Sequence, residues 1–330
     1  IGGTGLISSA CSDLAVARGH ELFILNRSVS TKYLAPQGST VLQADIYADE
    51  TALATTLARY HFDAVVDFIA YTVNDIERDI RLFGDRADQF VFISSASAYQ
   101  KPVKNYLITE ETPLENPYWE YSRNKIDCEN RLMQAYREQG FPTMIIRPSH
   151  TYGPTQIPFA VDNWTHPWTN IDRMKRGQKL IVPGDGTSLW VLTWNRDFAK
   201  GLVGLLGNDK AIGEAFQITS DQVLSWDQIY LEVYQALSLE PNVIHISSDL
   251  IARFWPDAEG SLIGDKSNSV VFDNSKIKRF VPDFVCEVDW AEGVRRSLAW
   301  FEAHPEFQTV ADEMNPIWDR IIASYQRAFP

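Results

Sequence analysis

The chain is short of the residues that make a stapled, metal-bound or membrane-embedded protein. Its 3 cysteines in 330 residues, Cys11, Cys128 and Cys286, are odd in number and far apart. That argues against a disulfide framework or a zinc-ligand spacing, so no metal site is expected and the thiols read as core or surface groups. There is no run of about 18 apolar residues, hence no expected membrane span. No basic segment followed by an apolar one opens the chain, which leads to the expectation of a soluble, cytoplasmic protein. Positive charge is scarce as well. The 30 Lys and Arg against 43 Asp and Glu give a net charge of −13, which opposes a broad nucleic-acid surface, because phosphates need clustered cations. Low-complexity tracts and fixed-period repeats are absent.

Core material is plentiful, at 45% hydrophobic and 12% aromatic residues. The length exceeds what one core usually organises. Apolar strand-like runs, ELFILN (21–26), AVVDFIA (64–70), QFVFISS (89–95) and PTMIIRP (142–148), alternate with helical stretches such as TALATTLARYH, DIERDIRLFG and the segment holding YSRNK. Strands apolar on both faces and separated by helices predict right-handed crossovers and a doubly wound parallel sheet. After about residue 155 the alternation fades into a Trp- and Pro-rich stretch, a turn at VPGDGTS, a helix in RDFAKGLVGLL and a candidate late strand, AFQITS. The expected fold class is α/β, a Rossmann-type sheet with a smaller, mostly helical C-terminal substrate domain. Its boundaries are 1–155 with a return around 188–222 for the cofactor domain, and 156–187 with 223–330 for the substrate domain. Ile1 stands directly against a glycine loop, so the strand expected before that loop, and the natural start of the chain, are expected a few residues upstream.

IGGTGLISS carries that loop, with Gly2 and Gly5 at the first two glycine positions of a dinucleotide turn and Ser8 at the third. A helix is expected from about Leu6 to Arg18. Such glycines allow a tight turn and close backbone approach to a pyrophosphate, while the helix N-terminus faces its charge. The Ser8 hydroxyl is open to facing a phosphate. At the end of ELFILNRS, where an acid binds the ribose of NAD, stand Asn26 and Arg27. Arginine suits a 2′-phosphate, so NADP is favoured over NAD; the plainer alternative is an Arg27 that points to solvent.

In YSRNK, Tyr121 and Lys125 are four apart, on one helix face. Neighbours of this kind are common surface contacts, yet of the 13 tyrosines only Tyr121 has a lysine at that distance.

Taken together, GGTGLIS, FISSASAY, the Tyr121 to Lys125 spacing and RPSHTYGP (147–154) resemble the extended short-chain dehydrogenase/reductases, the NAD(P)-dependent epimerase/dehydratase family. The resemblance covers about two-thirds of the chain. It implies that Tyr121 is the general acid/base, Lys125 its activator and ribose contact, and Ser95, four before Tyr99, the hydroxyl that bonds the substrate oxygen. It further implies cofactor contacts at Gly2, Thr4, Gly5, Leu6, Ile7, Asn26, Arg27, Asp45, Ile46, Phe68, Ile69, Ala70 and Pro148. Family dehydratases carry an Asp–Glu pair just after the hydroxyl, where this chain has Ala96 and Ser97, so 4,6-dehydration is disfavoured against epimerisation or reduction. A homodimer through the tyrosine-bearing helix is implied at the family level.

Substrate residues are less legible. Ser94 and Ser97 read as strand-end polarity, with Ser97 kept as a substrate candidate. His150 stands where nucleotide-sugar relatives have Asn, and is open to a structural reading. Arg173, beside Lys175 and Arg176 in DRMKRG, is a candidate phosphate contact or a solvated charge. Trp164, Trp168, Trp190 and Trp194 offer stacking surfaces or core packing. The expected function is hydride transfer on a sugar or nucleotide-sugar-like substrate; the alternative is a non-catalytic, cofactor-sensing or RNA-binding member of the same fold.

Overall fold

The structure, a computed structural model, describes residues 1–328. Its centre is strand β4 (Phe90–Ile93), buried at every position. β4 pairs in parallel with β3 (Val65–Asp67) on one side and with Thr143–Pro148 on the other, and Thr143–Pro148 pairs in parallel with Ala215–Ile218. AFQITS is thus a sheet strand, as its composition predicts. β1 (Phe23–Asn26) and β2 (Thr40–Gln43) form a second parallel pair. Ile1 and Gly2 join the two groups: Ile1 N donates to Val66 O (2.7 Å), Phe68 N donates to Ile1 O (3.2 Å) and Gly2 N donates to Leu25 O (2.9 Å).

Side-chain alternation along β4 builds a core on each face. Phe90 and Phe92 pack with Ile76, Leu82 and Phe83 of α3 (Val73–Phe83) and with Cys128, Leu132 and Ala135 of α4 (Glu120–Gln139). Val91 and Ile93 pack with Ala10 and Cys11 of α1 (Ser8–Ala17) and with Phe198 and Leu202 of the Asn195–Leu205 helix. Helices on both faces of a parallel sheet make the doubly wound Rossmann arrangement.

Several boundaries are shorter than the sequence reading, with strands over Phe23–Asn26 and Phe90–Ile93 in place of 21–26 and 89–95, and two differ for evident local reasons. The run AVVDFIA ends as a strand at Asp67 rather than residue 70, because the buried Asp67 carboxylate accepts the amides of Ile69 (2.6 Å) and Ala70 (3.0 Å) and turns the backbone out of the ladder. α1 begins at Ser8 rather than Leu6, because Gly5 to Ile7 still belong to the glycine turn. α3 opens with a capping box between Thr72 and Asp75. α4 runs 20 residues and stops at Gly140, whose φ of 71° is left-handed.

The later half adds helices Trp226–Ala236, Trp290–Ala303 and Met314–Ala328, together with short strand pairs such as Leu180–Pro183 with Val243–Ile246. Its cores are rich in tryptophan: Trp168, Trp190, Trp194, Trp226 and Trp290 share one cluster and Trp318 belongs to another. All three cysteines are free. No described helix is long and apolar enough to cross a membrane.

Candidate active site

A cleft of about 760 Å³ opens where β3, β4 and Thr143–Pro148 end, bounded by the glycine loop on one side and by later segments on the other. Ligands of parallel α/β sheets bind at this edge.

Gly2, Gly5, Leu6 and Ile7 line the cleft. Gly2 has a φ of +80°, and a Cβ there would lie 2.7 Å from Ile69 Cγ2, so only glycine fits. Ser8 also lines the cleft, but its hydroxyl is spent inside the loop: it accepts from Gly5 N (2.7 Å) and donates to Gly2 O (2.8 Å). Sequence reasoning left this hydroxyl open to a phosphate; instead it closes the turn. Ser12 of α1 donates to Gly3 O (2.9 Å) and the Asn195 amide, from the Asn195–Leu205 helix, donates to Leu6 O (2.8 Å), fastening the loop from both helices. Cβ-free backbone at the cleft edge and a helix starting at Ser8 fit a dinucleotide pyrophosphate.

Ser95, Tyr121 and Lys125 line the same cleft. Lys125 Nζ donates to Ala70 O (2.7 Å) and Ile93 O (2.8 Å), and lies 4.7 Å from the ring centres of Tyr71 and Phe92 and 5.8 Å from that of Tyr121. Burial pulls its pKa down to about 8, against the pull of Cys128, Asp67, Glu129 and Asp75. Burial pushes Tyr121 up to about 12, with Tyr71 adding and the Ser95 hydroxyl opposing. The Ser95 hydroxyl belongs to a row of three, 2.8 Å from Ser97 Oγ, which accepts from Ser122 Oγ (2.7 Å). One turn beyond Lys125, Glu129 is buried, takes Ser94 Oγ and is held by Arg147 through Nη2 to Oε2 (2.7 Å) and Nε to Oε1 (3.0 Å). These bonds fix the register of α4 and hence the facing of Tyr121 and Lys125.

The remaining candidates divide. Phe68, Ile69 and Pro148 line the cleft, whereas Ala70 is buried behind it and accepts from Lys125 through its carbonyl. Asn26 ends β1 opposite Gln43, and Asp45 lies two residues past the end of β2, where Ala44 N donates to Asn26 O (2.9 Å). Asn26 donates to Thr4 Oγ1 (3.1 Å) and accepts from Ser28 N (2.9 Å), Asp45 accepts from Tyr47 N (3.0 Å), Ile46 is buried and Arg27 is exposed. His150 and Ser97 line the cleft. His150 Nδ1 accepts from Trp190 Nε1 (3.3 Å), its Nε2 is buried without a partner, and burial, with Lys266 adding, pulls its pKa down to about 3. Arg173 lies outside the cleft and is neither solvated nor free: its side chain is 1% exposed and donates to Lys179 O (3.0 Å), Asn315 Oδ1 (2.8 Å) and Asp319 Oδ1 (2.6 Å). It ties two helices together. Trp164 lines the cleft from the exposed side, Trp190 lines it from within the core cluster, and Trp168 and Trp194 belong to that core without lining the cleft.

The sequence pattern of the NAD dependent epimerase/dehydratase family matches residues 1–219. The chain belongs to the NAD-dependent epimerase/dehydratase family. Over 258 residues it is 26% identical to an Arabidopsis thaliana chloroplast stem-loop binding protein of 41 kDa, an alignment covering 74% of this chain and 64% of that protein's length. Among solved structures it resembles an epimerase from Methanothermobacter thermautotrophicus (TM-score 0.73, 18% identity, 93% of this chain and 92% of that one). It also resembles a Bacillus anthracis dTDP-glucose 4,6-dehydratase in complex with NAD (TM-score 0.73, 16% identity, 92% and 96%). At these identities the likeness is one of fold.

Several cleft residues of this family member escape sequence reasoning. Tyr71 holds its ring over Lys125, Trp119 sits 4.9 Å from the Tyr121 ring, and Lys101, Asp162, Asp265 and Lys266 form a charged wall. Trp119 directly precedes the tyrosine-bearing helix, which is a usable signal. The four charged residues share no spacing, and no pattern in the chain points to them.

Proposed function

We propose that the protein is an NAD(P)-dependent epimerase or oxidoreductase that works by hydride transfer at the carbinol or keto carbon of a sugar-type substrate. The observation that carries the reading is Lys125: a buried ammonium, anchored on Ala70 O and Ile93 O and 5.8 Å from the Tyr121 ring centre, at the edge of a cleft that begins with a glycine loop. With a pKa near 8 it is largely charged at neutral pH. A cation so close favours the phenolate of Tyr121, which burial otherwise disfavours. Tyr121 then takes the proton of the substrate hydroxyl, or returns it, while Ser95 hydrogen-bonds the same oxygen. The bound nicotinamide supplies the hydride acceptor and donor. Ala96 and Ser97 offer no carboxylate beside Ser95, which disfavours 4,6-dehydration. Asn26 and the exposed Arg27 favour NADP over NAD at the ribose. Residues 1–155 with 188–222 serve the cofactor, and 156–187 with 223–330 the substrate.

The test is to denature freshly purified protein and identify released nucleotide by mass spectrometry. Tightly held NAD points to an epimerase that recycles its cofactor, and an empty site that then binds NADP points to a reductase. A protein that neither holds nor binds either nucleotide sinks the proposal. A second reading, a non-catalytic binder of nucleic-acid stem-loops, draws on the 26% identity to the chloroplast protein and is opposed by the net charge of −13. Salt-sensitive RNA binding supports it, and no binding at low salt removes it.

A further inference from the structure

Lys101 is a buried lysine whose partner is Asp265, in a loose ion pair. Its side chain is 1% exposed, it lines the cleft, and the Asp265 carboxylate oxygen facing it is 3.8 Å away, beyond hydrogen-bond reach. An ammonium carries three donors, and with Asp265 as its only close counter-charge Lys101 can direct donors to acceptors entering the cleft. Along the same wall Lys266 Nζ donates to Ala160 O (3.3 Å) and Asp162 Oδ1 (3.4 Å), while Asp162 Oδ2 is buried and unpartnered. His150 completes the set. Since its Nδ1 accepts from Trp190, the neutral ring carries its proton on the unpartnered Nε2, a donor.

The charge balance narrows the ligand. Lys101 with Asp265, and Lys266 with Asp162, each sum to zero whether the proton sits on nitrogen or oxygen. No arginine is among the residues lining the cleft, and two of the three protons of Lys125 are taken by backbone carbonyls. Apart from Lys125, which the proposed reaction uses beside Tyr121, a diphosphate arriving here meets no uncompensated cation, where side-chain phosphate sites use forked arginines or free lysines. Sugar hydroxyls, each both donor and acceptor, match alternating ammonium and carboxylate groups, and Trp164, 56% exposed at the rim, offers a face for the ring.

We infer that this wall binds an uncharged, unphosphorylated sugar or polyol, with Lys101 and His150 donating to its hydroxyls and Asp162 and Asp265 accepting from them, rather than a sugar carried on a nucleoside diphosphate. The inference rests on the hydride-transfer reading for its chemistry, and its test is separable from that reading.

The full chain, saturated with whichever nicotinamide cofactor it binds, is offered D-glucose, D-galactose, D-xylose and myo-inositol on one side and UDP-glucose, UDP-glucuronic acid and dTDP-glucose on the other. Binding is followed by saturation-transfer NMR and calorimetry, and turnover by nicotinamide absorbance. The expected result is that at least one neutral compound binds, and that Lys101→Met weakens it about ten-fold or more while the cofactor Kd stays within about two-fold. Asp265→Asn, which keeps the side-chain size, gives a second route to the same loss if Lys101→Met fails to fold. Three outcomes overturn the inference: no neutral compound binds, neutral binding is unchanged in both variants, or a nucleotide sugar binds more tightly than every neutral compound. A nucleotide sugar that is turned over leaves hydride transfer standing while this inference falls. Neutral-sugar binding without cofactor binding does the reverse.

Discussion

At one end of the cleft Gly2, Gly5 and the start of α1 present backbone, and the side chains around them, Ser8, Ser12 and Asn195, serve only to hold the loop. At the other end Lys101, Asp162, Asp265 and Lys266 present charged side chains drawn from three separate stretches of the chain. The first end makes its contacts with groups every residue has, so its specificity resides in where a Cβ is missing, and that is written in a contiguous glycine motif. The second end uses side chains brought together by folding. It carries the chemistry of choice among substrates and leaves no spacing to read. Between the two stand Tyr121 and Lys125, set by the register of a single helix.

The largest expected effect tests that middle ground. Tyr121→Phe removes the only proton-transfer group of the proposed reaction and leaves the ring that packs 4.9 Å from Trp119. Turnover is expected to fall by about 10²–10⁴-fold with the cofactor Kd unchanged. Activity within a few-fold of the unaltered protein contradicts the assignment.

Lys125 offers a stability readout that does not depend on substrate. Its pKa is lowered from 10.5 to about 8 by burial, so between these values the unfolded chain binds more protons than the native one. Stability contributed at this residue therefore rises with pH across that window, by up to about 3 kcal/mol. The check is chemical denaturation of the protein and of Lys125→Met at pH 7.5 and pH 10: the difference, unaltered protein minus variant, is expected to move in favour of lysine at the higher pH. A flat difference means that Lys125 is more solvated than its two carbonyl partners imply.

Gly2→Ala attacks the backbone end. With φ at +80° and Ile69 Cγ2 only 2.7 Å from the new Cβ, the cost is expected at about 1–3 kcal/mol of stability, together with weaker cofactor binding. Ser8→Ala keeps the turn conformation and loses only its two internal hydrogen bonds, so it is expected to cost less, about 1 kcal/mol. Thermal melts and nucleotide titrations of the two variants separate these outcomes; equal losses mean that the hydroxyl matters as much as the missing Cβ.

How much of this was legible in the sequence follows the same divide. Strands such as FVFI, apolar on both faces, betray a parallel sheet covered by helices, and the three residues that the family resemblance singled out, Ser95, Tyr121 and Lys125, come together in one cleft. Arg173 was unreadable for a physical reason. Within DRMKRG it looks like surface charge, but its partners Asn315 and Asp319 lie 142 and 146 residues away, and they convert it into a buried tie. Asp67 hides similarly: within AVVDFIA nothing marks it, whereas its buried carboxylate accepts the amides of Ile69 and Ala70 and ends the strand. Lys101 and Asp265 are ordinary polar residues until the chain folds.

The smallest effect expected concerns the ribose, where the two ends of the comparison meet. Asn26 occupies the end of β1 and spends its carboxamide on Thr4 and Ser28, so it neither repels a phosphate nor competes for it, and Arg27 beside it is exposed. If Arg27 binds a 2′-phosphate, Arg27→Ala weakens NADP by about three-fold, because an exposed charge-assisted pair is screened by water, and leaves NAD unchanged. Calorimetric Kd values for both nucleotides in both proteins give the answer directly. A ratio of NADP to NAD affinity that does not shift means that Arg27 only points to solvent, and that the preference at this site is set by backbone, like the rest of the cofactor end.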